Sequence, residues 1–328
     1  MTATTTAGPQ RAPHRRSALP ARIASYGTLL GLLLLIMLFT VLDEKGIFLT
    51  AGNFTNIFEQ VAVLAMVASV QTVVMVVGDF DLSVGALASL VGVLVAKLLA
   101  GGTPVVPAIV AGLLAGLLAG AINGFLVAYL GLSAFIATLA AMTSFTGLAL
   151  LLSNGSTIFG LPPAFVAIGQ GRVGAIPIPV VIAVALAAVM WFALSRTVLG
   201  RQWYAVGGNA EASRLSGVNT RAVRFSAFLV SGLGAALAGI VLTARLASGH
   251  PTAGDPLMLS SIAAVFLGVT LSRVGQPGIG GTAVGIGIVG VLGNGLNLLQ
   301  VNSYVQQVLT GVIIVLAVSL SQIVRRRR

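Results

Sequence analysis

"VVPAIVAGLLAGLLAGAINGFLVAY", residues 105–129, runs for 25 positions without a charged side chain and sets Gly112, Gly116, Gly120 and Gly124 four residues apart. A helix of that length reaches about 37 Å, enough to cross roughly 30 Å of hydrocarbon. Glycines at that spacing share one helix face and leave a groove into which a neighbouring helix packs closely. Asn123, at the end of the groove, needs a polar partner from another helix or a solute.

The rest of the chain has the same character. Of 328 residues, 57% are hydrophobic and 8% charged, with a mean hydropathy of +1.05. Seven acidic and eighteen basic residues cannot provide the polar shell of a soluble chain this long. Lipid is therefore the expected outer solvent, and the fold class is all-α: a polytopic membrane helical bundle of about ten spans. These are expected near 26–42, 57–77, 84–99, 105–129, 134–153, 177–194, 225–243, 257–271, 280–299 and 305–323. Two of them, 84–99 and 257–271, are short, and short spans are where transporter helices break. Residues 1–24 read as a disordered basic lead, 25–324 as the membrane domain and 325–328 as a basic tail.

The ten-span reading puts fourteen Lys and Arg on the side holding both ends of the chain and four, Lys45, Lys97, Arg172 and Arg245, on the other. By the positive-inside rule both termini are cytoplasmic. On that reading the closing "RRRR" anchors topology in a cell membrane and is not a nucleic-acid site.

The long arginine-rich loop, 195–224, contains "GGNAEASRLSG", Gly207 to Gly217. Asn209 suits an N-cap, Glu211 the first turn, Arg214 the last turn and Gly217 the left-handed position after a helix. The expected helix has about two turns, too short to stand alone in water. Either the protein or a partner must hold it. The alternative is an interfacial linker with Trp203 and Tyr204 at headgroup level.

"GDFDLSVG", Gly78 to Gly85, places Asp79 and Asp81 between apolar runs. A carboxylate facing lipid costs about 2.5–3.5 kcal/mol even on the lenient scale. These acids must face a loop, a pathway or a protein partner, and Ser83 with the flanking glycines suits a broken helix lining a cavity. A solvent-exposed turn is the simpler alternative. No basic residue lies nearby in sequence to pair with them.

The chain also resembles itself. "GDFDLSVGALASLVGV" from Gly78 aligns without gaps on "GDPLMLSSIAAVFLGV" from Gly254, and Asn123-Gly124 answers Asn294-Gly295 further on. Five spans separate the copies, so they would be inverted, as in many transporters.

The absences also narrow the function. Cysteine is missing, and Lys45 and Lys97, the only lysines, precede neither Ser nor Thr, so there is no P-loop. His14 and His250 are the only histidines. No metal or nucleophile constellation is legible, and no cofactor is expected.

Taken together, "GDFDLSVGAL", "NGFLVAYLGLSAFIATL", "LGRQWYAVGGNAEASRLSGVNT", "PTAG", "IAAVFLG" and "NGLNLL" resemble, in order, the permease subunits of ribose-type ABC sugar importers. Glu211, Ala212 and Gly217 match that family's Glu-Ala-Ala-x-x-x-Gly loop, with Ser213 in place of the second alanine. The resemblance implies a coupling helix, with Asn209, Glu211, Ala212, Arg214 and Gly217, held by a cytoplasmic ATP-binding subunit. It also implies an extracytoplasmic sugar-binding protein, a second permease copy and transport of a monosaccharide by alternating access, with ATP used by the partner. Candidate pathway or gate groups are Asp79, Asp81, Ser83, Asn123, Asn294 and Asn297. The chain departs from the family at Asp79, commonly Gly, and at Leu257 to Ser261, commonly bearing a Glu-Leu-Asp triplet. The competing function is a secondary transporter or channel that uses Asp79 and Asp81 as an ion site.

Overall fold

A computed structural model describes residues 19–312 except 273, 274, 303, 307 and 310, with side chains from Thr28 onward. Helices dominate: α1 (Leu19–Leu42), α2 (Ala51–Val76), α3 (Val84–Ala100), α4 (Val105–Ala128), α5 (Ala134–Ser153), α6 (Pro163–Gln170), α7 (Ile178–Arg196), α8 (Val198–Gly208), α9 (Ala210–Leu215), α10 (Thr220–Leu246), α11 (Asp255–Val269) and α12 (Ile279–Leu298). A small antiparallel hairpin, β1 (Arg172–Val173) and β2 (Ile176–Pro177), joins α6 to α7.

Six of these helices, α2, α4, α5, α7, α10 and α12, are long and apolar enough to cross a membrane. The expected spans at 26–42, 84–99 and 257–271 correspond to α1, α3 and α11, whose described apolar stretches are shorter. Most of the span expected at 305–323 lies outside the described residues, as do the tail and most of the lead. α1 begins at Leu19, inside the stretch read as the lead.

α2 and α10 form the centre. Their apolar windows are 72% and 61% buried, against 28% for α4 and α5 and 22% for α7. The outer helices present Leu114, Leu118, Leu151 and Val184 outward, the disposition of a bundle solvated by lipid. α2 and α10 run antiparallel: Glu59 lies by Arg245, Val70 by Gly234 and Asp79 by Arg224. The glycine groove of α4 receives α10, with Gly116 and Gly120 against Gly232, Ala236 and Phe228.

The internal repeat is visible in the helix bounds. Shifting α2, α3 and α4 by 171 residues reproduces α10, α11 and α12 to within three residues at every end. The same shift carries Val84 onto Asp255 and Asn123-Gly124 onto Asn294-Gly295. This corrects the gapless match of Gly78 with Gly254, which is five residues out of register. The connections 77–83 and 247–254 are nearly equal in length, but Gly78 stands near the start of the first and Gly254 at the end of the second. Runs of Ala, Val and Leu match each other in either register, so sequence alone chose the wrong one.

Candidate functional site

The polar residues singled out by sequence collect in two places. The first is residues 77–83, the irregular segment between α2 and α3. It leaves backbone groups unpaired among apolar helices, where each must find a partner. Two helices, α5 and α2, bond its backbone, and two more, α4 and α10, bond its side chains. Thr138 of α5 accepts from Leu82 N at 3.1 Å, and buried Gln71 of α2 presents its amide to both the N–H and the carbonyl of Asp81 at 3.3 Å. Asn123 of α4 donates to Ser83 Oγ at 2.9 Å. Asp81 is 1% exposed and accepts from Ser83 N (2.9 Å), Ser83 Oγ (2.6 Å) and Ser231 Oγ of α10 (2.7 Å). Buried Asn123 Oδ1 has no partner among the described residues.

Asp79 has the counter-charge that sequence proximity did not reveal. Arg224, 145 residues later on α10, makes a two-pronged pair with it, Nη2 to Oδ1 at 2.7 Å and Nε to Oδ2 at 2.9 Å. Both carboxylates are buried, which excludes the solvent-exposed turn.

The second place is α8–α9. Asn209 caps α9 as expected, accepting from Ala212 N at 2.9 Å, and Gly217 follows at φ +84°, a conformation costly for any residue with a side chain. Glu211 and Arg214 pair at 2.6 Å. The hydrogen bond and charge of Arg214 hold the Glu211 carboxyl below its ordinary range. Glu211, Ala212, Arg214, Leu215 and Gly217 are exposed, so α9 is displayed rather than buried.

What holds α9 is α8, an element sequence reasoning missed. Trp203 is buried, donating to Val223 O (3.2 Å) and Ser226 Oγ (3.0 Å) on α10, not lying at an interface as the alternative reading had it. Tyr204 Oη donates to Pro277 O at 2.9 Å, and burial raises its phenol, keeping it a donor. Gly207 lies against the backbone of Val76 and Val77 so closely that any side chain there would collide. The helical spacing of Leu199, Trp203 and Val206 in an otherwise arginine-rich loop was the available signal for α8.

The remaining candidates lie apart from both places. Buried Asn294 of α12 exchanges reciprocal amide bonds with Asn53 of α2 (2.9 and 3.0 Å). Asn297 is exposed and accepts from Gln306 Nε2 at 2.8 Å. The structure thus brings together Asp79, Asp81, Ser83 and Asn123, and separates them from Asn294 and Asn297.

Apolar helices solvated outward, a buried polar junction between antiparallel repeats and a displayed capped helix define a polytopic α-helical membrane transport protein. The chain belongs to the family described as "Branched-chain amino acid transport system / permease component", which matches residues 53–318. It is 42% identical to the ribose import permease protein RbsC of Bacillus subtilis over 298 residues, 90% of this chain and 92% of the relative. It is 37% identical to the D-allose transport system permease protein AlsC of Escherichia coli, covering 92% of each chain. A probable ABC transporter permease protein of Escherichia coli, YphD, is 38% identical, over 90% of this chain and 89% of the relative. No solved structure matches the chain. The protein is a multi-pass membrane transport subunit of the ABC permease class, not itself an enzyme.

Proposed function

We propose that the chain forms the membrane pathway of an ATP-driven importer for a monosaccharide, a ribose-like pentose, a hexose or a related polyol. The observation that carries the reading is the near full-length identity to permeases named for ribose and allose. The family description names branched-chain amino acids, but identity of 37–42% along nearly the whole chain to permeases named for sugars weighs more. The relatives offer no support for a secondary transporter or channel.

α9 is the coupling helix in this proposal. Its exposed Glu211, Ala212, Arg214 and Leu215 suit a groove on a cytoplasmic ATP-binding subunit, and the anchoring of α8 to α2, α10 and Pro277 supports transmission from that groove into the bundle. Two permease copies form the pathway, and an extracytoplasmic binding protein delivers the sugar. With ten spans, the distribution of lysine and arginine supports an orientation with both termini in the cytoplasm. Because Asp81, Ser83 and Asn123 bond to one another, they serve the gate by holding its backbone rather than by gripping the sugar.

The test is reconstitution in liposomes with the ATP-binding subunit and the binding protein. ATP-dependent uptake of radiolabelled D-ribose or D-allose supports the reading; uptake without ATP would transfer the case to a secondary transporter. Gly217→Val and Glu211→Lys should each lower ATP-dependent uptake about tenfold, within the usual range of coupling between sites, while the permease still inserts. Wild-type uptake by both variants would remove α9 from coupling.

A further inference from the structure

Residues 76–81 are gripped at separated points by the elements flanking α9. Gly207, two residues before the N-cap of α9, abuts Val76 and Val77. Arg224, in the first turns of α10 just after α9, holds Asp79. Ser231, seven residues on, holds Asp81. Arg224 and Ser231 are about 10 Å apart along the helix. Two attachments to one helix fix a loop's orientation as well as its position. A tilt or rotation of α10 must therefore turn the segment that leads into α3.

The two attachments differ in kind. Asp81–Ser231 is a single hydrogen bond from a hydroxyl on α10, which can rotate as the helix turns. Asp79–Arg224 is a two-pronged ion pair whose carboxylate side chain is 10% exposed and whose guanidinium is 32% exposed. A planar guanidinium matched to a carboxylate through two parallel hydrogen bonds resists both stretching and twisting. Backbone packing at Gly207 can push on the segment, but only a bonded contact can pull.

We propose that the Asp79–Arg224 pair is a positioning contact that carries displacement of α9 into residues 77–83 and the start of α3. The inference rests on the reading of α9 as the ATPase-facing helix.

The absence of cysteine makes the test direct, because spin labels can be placed without removing native thiols. Exposed Phe80→Cys and Leu118→Cys report the segment against α4, and Ala212→Cys with Leu118→Cys reports α9. Interspin distances are measured in the transporter assembled with its ATP-binding subunit, before and after trapping with ATP and vanadate. In the parent chain both distances should shift. With Asp79→Asn or Arg224→Gln, the α9 shift should remain, the Phe80 shift should be lost, and ATP-dependent uptake should fall about tenfold relative to ATP hydrolysis. The exchange Asp79→Arg with Arg224→Asp should restore part of the Phe80 shift. A Phe80 shift that persists in both single variants overturns the proposal and leaves the pair a purely structural contact. Failure of α9 itself to move in the parent chain would instead overturn the coupling-helix reading beneath it.

Discussion

The segments that enter α3 and α11 occupy corresponding places in the two repeats, yet they are held in different ways. Residues 77–83 are tied by side chains from four helices, and both of their acids are buried. Residues 247–254 are pinned mainly through backbone, by the Ile158–Gly249 bridge (2.9 and 2.8 Å) and by Gly254 N donating to Ser89 Oγ at 2.8 Å. Ser248 is buried, but His250 and, at the start of α11, Asp255 are exposed. The two helices start back to back, with Gly85 and Gly254 in backbone contact. Duplication supplied one scaffold, and side-chain chemistry then made one entrance a clamp and left the other open.

The same contrast appears where each repeat crosses its neighbour. The α4–α10 crossing has glycine on both helices, Gly116 and Gly120 against Gly232, so backbone meets backbone. In the equivalent α12–α2 crossing Gly290 faces the side chain of Val61. A side chain can turn aside, whereas backbone cannot. Gly232→Val should therefore cost more than the roughly 1–3 kcal/mol typical of overpacking and abolish the folded protein, while Gly290→Val should fall within that range. Size-exclusion profiles and thermal unfolding in mild detergent check this, and equal losses would break the comparison.

A smaller effect separates the acids of the two entrances. Asp81→Asn presents an amide donor to hydroxyls that now donate to a carboxylate, and should cost about 1–3 kcal/mol. Asp255→Asn, at an exposed position, should change stability by no more than about 0.5 kcal/mol. Thermal unfolding of the two variants side by side reads the difference. A larger loss for Asp255→Asn would mean that the second entrance is the clamped one.

The smallest contrast lies between the paired asparagines. Asn294→Ala leaves buried Asn53 without its reciprocal amide and should cost about 1–2 kcal/mol. Asn123→Ala removes one donor to Ser83, which keeps its bond to Asp81, and should cost about 1 kcal/mol or less. The two values, from denaturation in the same detergent, sharpen the view that Asn294 bonds across to the other repeat while Asn123 bonds within its own.

Much of this was legible in the chain itself. The apolar runs required a lipid-solvated helical bundle, the glycines at 112, 116, 120 and 124 foretold a close crossing, and Asn209, Glu211, Arg214 and Gly217 marked a short helix where α9 lies. These signals are local: composition, spacing and caps act through neighbours in sequence. The tertiary structure decided what depends on distant partners. It paired Asp79 with Arg224 across 145 residues, buried Trp203 under α10 to make α8 a support, and set the repeat at an offset of 171 where apolar sequence had suggested another register. In a chain built from so few residue types, alternating among Ala, Val, Leu and Gly, many pairings satisfy the hydrophobic pattern equally well. Only the requirement that each buried charge and each unpaired backbone group find its partner selects one of them.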